Sequence, residues 1–166
     1  MPFDVRATDV AEEADGIPAA IAGENALRKA LAAAGREGEI VLGVDTLVAA
    51  GGEVWGKPPD ELAARRTLRR LAGREHVVVS GVALVTAQEV LHAFAATTKV
   101  TFRDVPDELL DWYVATGEWQ GRAGGYAIQG RGSALVRRID GDYLNVVGLP
   151  LSALLDVWPE LLHVGD

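Results

Sequence analysis

The run Ile40-Val41-Leu42-Gly43-Val44-Asp45-Thr46-Leu47-Val48 constrains this chain more than any other stretch. It is short, nearly continuous and apolar, the pattern of a strand buried on both faces rather than one alternating between core and water. Such a strand needs cover on two sides. Asp45 interrupts the run, and a carboxylate there costs several kcal/mol in effect unless a cation or hydrogen bonds compensate it. Taken alone, a strand-end carboxylate capping nearby backbone N–H groups explains Asp45 as well as a catalytic role does.

The segments around this strand supply the cover. Residues 18–34 are alanine-rich, with Ile21, Leu27 and Leu31 spaced as one helical face and Gly35 placed to end it. Residues 59–72 form a second helical pattern, with Asp60 and Glu61 at its positive end and Ala64, Leu68 and Leu71 on one side. Residues 77–86 and 90–102 are β-branched runs joined by a polar turn at Gln88-Glu89, a hairpin pattern. A third helix is expected over 106–115, then a glycine-rich loop over 121–132, a strand near Leu135-Val136, and a closing helix over 149–162 interrupted near Pro159. No repeat or linker divides the 166 residues, so the order predicts a single α/β domain with a mixed, largely buried sheet.

Composition narrows the function. The formal net charge of -8 argues against general attraction to nucleic acid or an anionic membrane. Arg65, Arg66, Arg69 and Arg70 fall on one helix without interleaved aromatics, so they read as a solvated face. With no cysteine, thiolate zinc sites and a cysteine nucleophile are excluded, which suits a cytoplasmic protein. His76, His92 and His163 show no ligand pairing, so hard oxygen ligands are the better expectation: Asp45 with Glu12, or Glu13 in its place, holding Mg²⁺ or Mn²⁺ beside a triphosphate. Lys57, between Gly56 and Pro58, projects an amine from a held backbone, although for that motif taken alone a surface turn is the simpler explanation. Gln129 sits among glycines that let backbone N–H groups approach a ligand, although taken singly this segment also reads as a plain turn.

In order, the segments Pro2-Phe3-Asp4-Val5, Asp9-Val10-Ala11-Glu12, Ala26-Leu27-Arg28-Lys29-Ala30, Gly43-Val44-Asp45-Thr46 and Gly56-Lys57-Pro58 resemble motifs of the Maf family. The match continues through 76–82, 113–118, 123–130 and 141–151. The resemblance implies a Maf/ITPase-like fold, a twisted sheet flanked by helices with a cleft between two lobes. It also implies a nucleoside triphosphate pyrophosphatase that cleans the nucleotide pool. The Ile128-Gln129-Gly130 loop and Asp142-Tyr143-Leu144-Asn145 look like the branch acting on dTTP and UTP.

The implied roles follow residue by residue. Asp45 is the base or metal-linked activator of water, and Glu12 shares the metal or orients that water. Lys29 and Lys57 neutralise phosphate, Gln129 positions the nucleotide, and the protein is a homodimer. Family members open with a strand leading into Ser-x-Ser-Pro-Arg-Arg, which binds triphosphate. Met1 falls just beyond that segment, so its absence is an expectation, with a non-catalytic nucleotide-binding homologue as the rival reading.

Overall fold

A computed structural model describes residues 3–162; Pro2 and His163, named above, lie outside them. The helix α1 (Pro18–Ala33) precedes β1 (Val41–Ala50) and the short β2 (Glu53–Trp55), then α2 (Glu61–Leu71), β3 (Glu75–Val85) and β4 (Val90–Phe102). After α3 (Asp107–Ala115) come 3₁₀ turns at Ala123–Gly125 and Arg131–Leu135, β5 (Val136–Asp140), α4 (Tyr143–Val147) and α5 (Leu151–Val157). A last 3₁₀ turn, Pro159–Leu162, follows the interruption expected at Pro159. Among the described residues no helix is long and apolar enough to cross a membrane.

The strands lie in the order β2-β1-β3-β4-β5. An α/β architecture with helices against the sheet is what the sequence predicts, and every pairing among the described strands is antiparallel. Parallel neighbours need long crossovers, whereas β1/β2 and β3/β4 are joined by tight turns. At the β3/β4 turn the Thr86 hydroxyl accepts from the backbone N–H groups of Gln88 and Glu89 at 3.3 and 3.1 Å.

Helix α1 covers one face in a way its apolar spacing does not suggest. Leu31 is 49% exposed, and the buried stripe is Ala22, Ala26 and Ala30, with Ile21 and Asn25 beside it. The cause lies in the strands. A Cβ at Gly43 would fall 2.3 Å from the Ala26 carbonyl oxygen, and one at Gly81 would fall 2.0 Å from that of Ala22. Two glycines under three alanines let helix backbone touch sheet backbone, which leaves no room for leucine between them.

The opposite face carries the larger core, built from Leu68, Leu71, Val78, Phe102, Leu110, Tyr113, Trp119 and Tyr126. Helix α2 starts as expected, with the Asp60 side chain accepting from Ala63 N at 2.7 Å. Three of its four arginines meet partners. Arg65 bonds Asp107 and Asp111 on α3, Arg69 donates to the Val105 carbonyl, and Arg70 pairs with Glu53 and lies over the Trp55 ring.

Strand β2 pairs with β1 only over Val48–Ala50. Along Val41–Leu47 the outer edge of β1 therefore has no strand neighbour among the described residues. Side chains from both faces of the sheet reach this open edge, and the cleft described below runs along it.

The close seating of α1 generates a paired prediction for urea unfolding. Gly81→Ala is expected to lose about 3 kcal/mol or more, because its methyl meets backbone that cannot swing aside. Gly23→Ala, on α1 itself with nothing within 4 Å of its would-be methyl, is expected to gain about 0.5–1 kcal/mol. Equal effects at the two positions would refute the packing described.

Candidate active site

Asp45 is only 6% exposed and lies opposite Gly81 in the β1/β3 register, so it faces α1. Helix α1 brings two side chains to it from one face. The Lys29 ammonium donates to Asp45 Oδ1 at 2.5 Å, and Asn25 Nδ2 donates to Oδ2 at 3.1 Å. Asn25 and Lys29 are four residues apart, the spacing that stacks side chains on a helix. That spacing is the signal by which Asn25, absent from the sequence expectations, was legible.

Asn25 does a second job. Its Oδ1 accepts from Glu13 N at 2.8 Å and its Nδ2 donates to the Glu13 carbonyl at 3.1 Å, which fixes the extended N-terminal segment across α1. Held so, Glu12 Oε1 reaches Lys29 Nζ at 2.6 Å. The neighbouring Glu13 carboxylate turns instead to Arg28, at 2.9 Å. Glu12 thus joins the Asp45 cluster and Glu13 supports it through its backbone.

The electrostatics follow from this geometry. The hydrogen bond from Lys29 outweighs burial and holds the Glu12 carboxyl below its usual range, with Lys57 adding to the effect. Burial pulls the Lys29 ammonium down, but its bonds to Asp45 and Glu12 win and leave its pKa raised. Lys29 is therefore a firm cation shared by two carboxylates.

A cleft of about 230 Å³ opens beside this cluster, and Lys29, Asp45, Lys57 and Gln129 all line it. Four of the five residues singled out from the sequence meet there, and the fifth, Glu12, is bonded to Lys29 at its mouth. The far wall is the glycine-rich loop, from Gly121 through Gln129, and the floor includes Val44, Thr46 and Gly148.

Both walls are held from below. Gly124 N donates to the Gly56 carbonyl at 3.1 Å, tying the loop to the segment that carries Lys57. The Tyr113 hydroxyl accepts from Ala127 N at 3.1 Å, and the Tyr126 hydroxyl meets His76 Nε2 at 2.8 Å. On the floor, Asn145 donates to the Val78 carbonyl and Thr98 Oγ1, while Ser80 donates to the Asn145 carbonyl and Thr46 bonds Ser80. This polar ladder pins α4 to three strands. The sequence assigned no role to Tyr126, Asn145 or Arg122, although the first two fall in the matched motifs, because their value depends on partners distant in the chain.

Among the described residues no three His, Asp or Glu side chains converge as a ready-made metal site. The donors present are the two carboxylates of Asp45 and Glu12. Magnesium and manganese sites that act on nucleotides commonly take one or two carboxylates and complete their shell with phosphate oxygens and water, so the donor chemistry fits a cation that arrives with its substrate.

An antiparallel α/β fold with paired carboxylates facing cations across a cleft defines a class of polyanion-binding enzyme. The sequence pattern described as Maf-like protein matches residues 1–161, and the chain belongs to that family. A dTTP/UTP pyrophosphatase from Symbiobacterium thermophilum is 49% identical over 154 residues, 91% of this chain and 79% of the relative. One from Geobacter sulfurreducens is 46% identical over 160 residues, 94% and 84% of the two chains. One from Pyrococcus furiosus is 43% identical over 117 residues, 70% of this chain and 61% of the relative.

His76 gives the site a pH limit. Burial pushes its imidazole down to about 4 from an ordinary 6.5. Between those values the unfolded chain binds a proton that the folded chain does not, so stability is full above pH 6.5 and falls as pH drops toward 4. Urea unfolding is expected to lose on the order of 3 kcal/mol across this window from His76. His76→Gln should remove that part of the slope; an unchanged slope would show that His76 does not carry it.

Proposed function

We propose that this protein hydrolyses dTTP or UTP between the α and β phosphorus atoms, releasing the monophosphate and pyrophosphate in the cytoplasm. The observation that carries this is the Glu12–Lys29–Asp45 cluster facing Lys57 and Gln129 across one cleft. The names of the relatives supply the substrate. Gln129, on the loop of the far wall, offers its amide carbonyl and NH2 to a pyrimidine.

In this reading Asp45 and Glu12 hold Mg²⁺ or Mn²⁺ together with the triphosphate. The cation, when bound, withdraws charge from the phosphate oxygens and favours deprotonation of water. Asp45, fixed by Asn25 and Lys29, takes the proton of the water whose oxygen bonds the α phosphorus. Glu12 orients that water. The bond from the α phosphorus to the bridging oxygen breaks, and the departing pyrophosphate keeps the electron pair beside Lys57. Lys29 allows two carboxylates to coexist near a polyanion, so its aid to phosphate binding is largely indirect.

The same reading includes a homodimer, for which exposed Val90, Leu91, Tyr143 and Leu144 offer apolar surface. It includes no binding to nucleic acid, since the net charge is -8 and α2 turns three of its arginines to protein partners.

The test is pyrophosphate release with Mn²⁺ or Mg²⁺. Release from dTTP and UTP is expected to exceed that from ATP and GTP. Asp45→Asn is expected to lower turnover by roughly 100-fold or more while nucleotide binding changes little. Binding of dTTP without any release would leave a non-catalytic nucleotide-binding homologue and overturn the proposal.

A further inference from the structure

We infer that Arg122 is a polyphosphate-binding residue, acting with Lys57 on the wall opposite Asp45; the inference rests on the nucleotide reading above. Three cations line the cleft: Lys29, Lys57 and Arg122. Lys29 is committed to Glu12 and Asp45 at 2.6 and 2.5 Å, so two carboxylates and one ammonium leave that wall with a formal charge of -1. By itself it repels a triphosphate.

Lys57 and Arg122 are placed differently. Both are exposed, and neither side chain makes an ion pair or hydrogen bond with another described residue. Elsewhere, Arg6, Arg28, Arg65, Arg69 and Arg70 all find carboxylates, as a chain with net charge -8 makes easy. Arginines without one, such as Arg66 and Arg137, stand outside the cleft lining.

The backbone ties together the two loops that carry these cations. The Gly124 N–H bonds the Gly56 carbonyl, and a Cβ on Gly125 would lie 3.1 Å from Pro58 Cγ, so the loops are locked where Lys57 and Arg122 emerge. Arg122 is fixed further through its own N–H to the Trp119 carbonyl at 3.1 Å and its carbonyl to Gly125 N at 3.0 Å. Its guanidinium presents parallel donors that match two oxygens of a phosphate, beside the point charge of Lys57. The most highly charged part of the substrate, the β and γ phosphates, belongs there. Gln129, seven residues on in the same loop, then meets the nucleoside end.

The test is equilibrium binding of dTTP, pyrophosphate and dTMP to the full chain, with Ca²⁺ in place of the activating metal. Arg122→Ala is expected to weaken dTTP and pyrophosphate by about 10-fold or more, the scale of a charge-assisted hydrogen bond, and dTMP by less than about twofold. Arg122→Lys should recover part of the loss, since it restores charge without the paired donors. Unaltered dTTP and pyrophosphate binding would overturn the assignment and leave the pyrophosphatase reading standing. An equal loss for all three ligands would overturn it too, by showing that Arg122 acts on the loop as a whole. A wild-type chain that binds none of them would sink the nucleotide reading itself.

Discussion

The contact between helix α1 and the glycines of β1 and β3 is what the rest of the structure depends on. With a side chain at Gly43 or Gly81 the helix would stand off, because both positions abut its backbone. Only at this separation do Asn25 and Lys29 reach Asp45, and only with both in place is a carboxylate tolerable at so buried a position. Asn25 also ties down the segment that delivers Glu12. The packing of small residues and the chemistry of the cleft are thus one arrangement.

The short β2 completes it. Had β2 run the full length of β1, the edge beside Asp45 would be closed by a ladder of hydrogen bonds. Instead it pairs for three residues, and the chain turns away through Gly56-Lys57-Pro58. The vacated edge becomes a cleft with a carboxylate-rich wall and a cationic wall. Phosphoryl chemistry depends on positioning and electrostatics more than on covalent steps by the protein, and in the proposed reading this separation of charge supplies both.

Much of this was legible in the sequence. Asp45 stood out because a carboxylate in an apolar strand demands explanation, and the hairpin and the two longer helices announced themselves through periodicity and turn residues. The buried face of α1 was misjudged at Leu31, since alanine carries little hydrophobic signal and its burial is set by glycines on other strands. The three-residue β2 and the five-residue α4 are too short for any periodic pattern. α4 is held by Asn145, Ser80 and Thr98, contacts 47 and 65 residues apart in sequence. Arg122 could not be distinguished from other arginines until it was known which cations already had partners.

The central claim is that the cleft divides its work between a carboxylate wall that takes a divalent cation and a Lys57–Arg122 wall that takes the polyphosphate. Anomalous diffraction from Mn²⁺, in crystals grown with a non-hydrolysable dTTP analogue, measures this directly. The account predicts a manganese peak coordinated by the carboxylates of Asp45 and Glu12, with the β and γ phosphates against Lys57 and Arg122. A peak away from both carboxylates, or a triphosphate lying on Lys29 with Lys57 and Arg122 left in solvent, would contradict it.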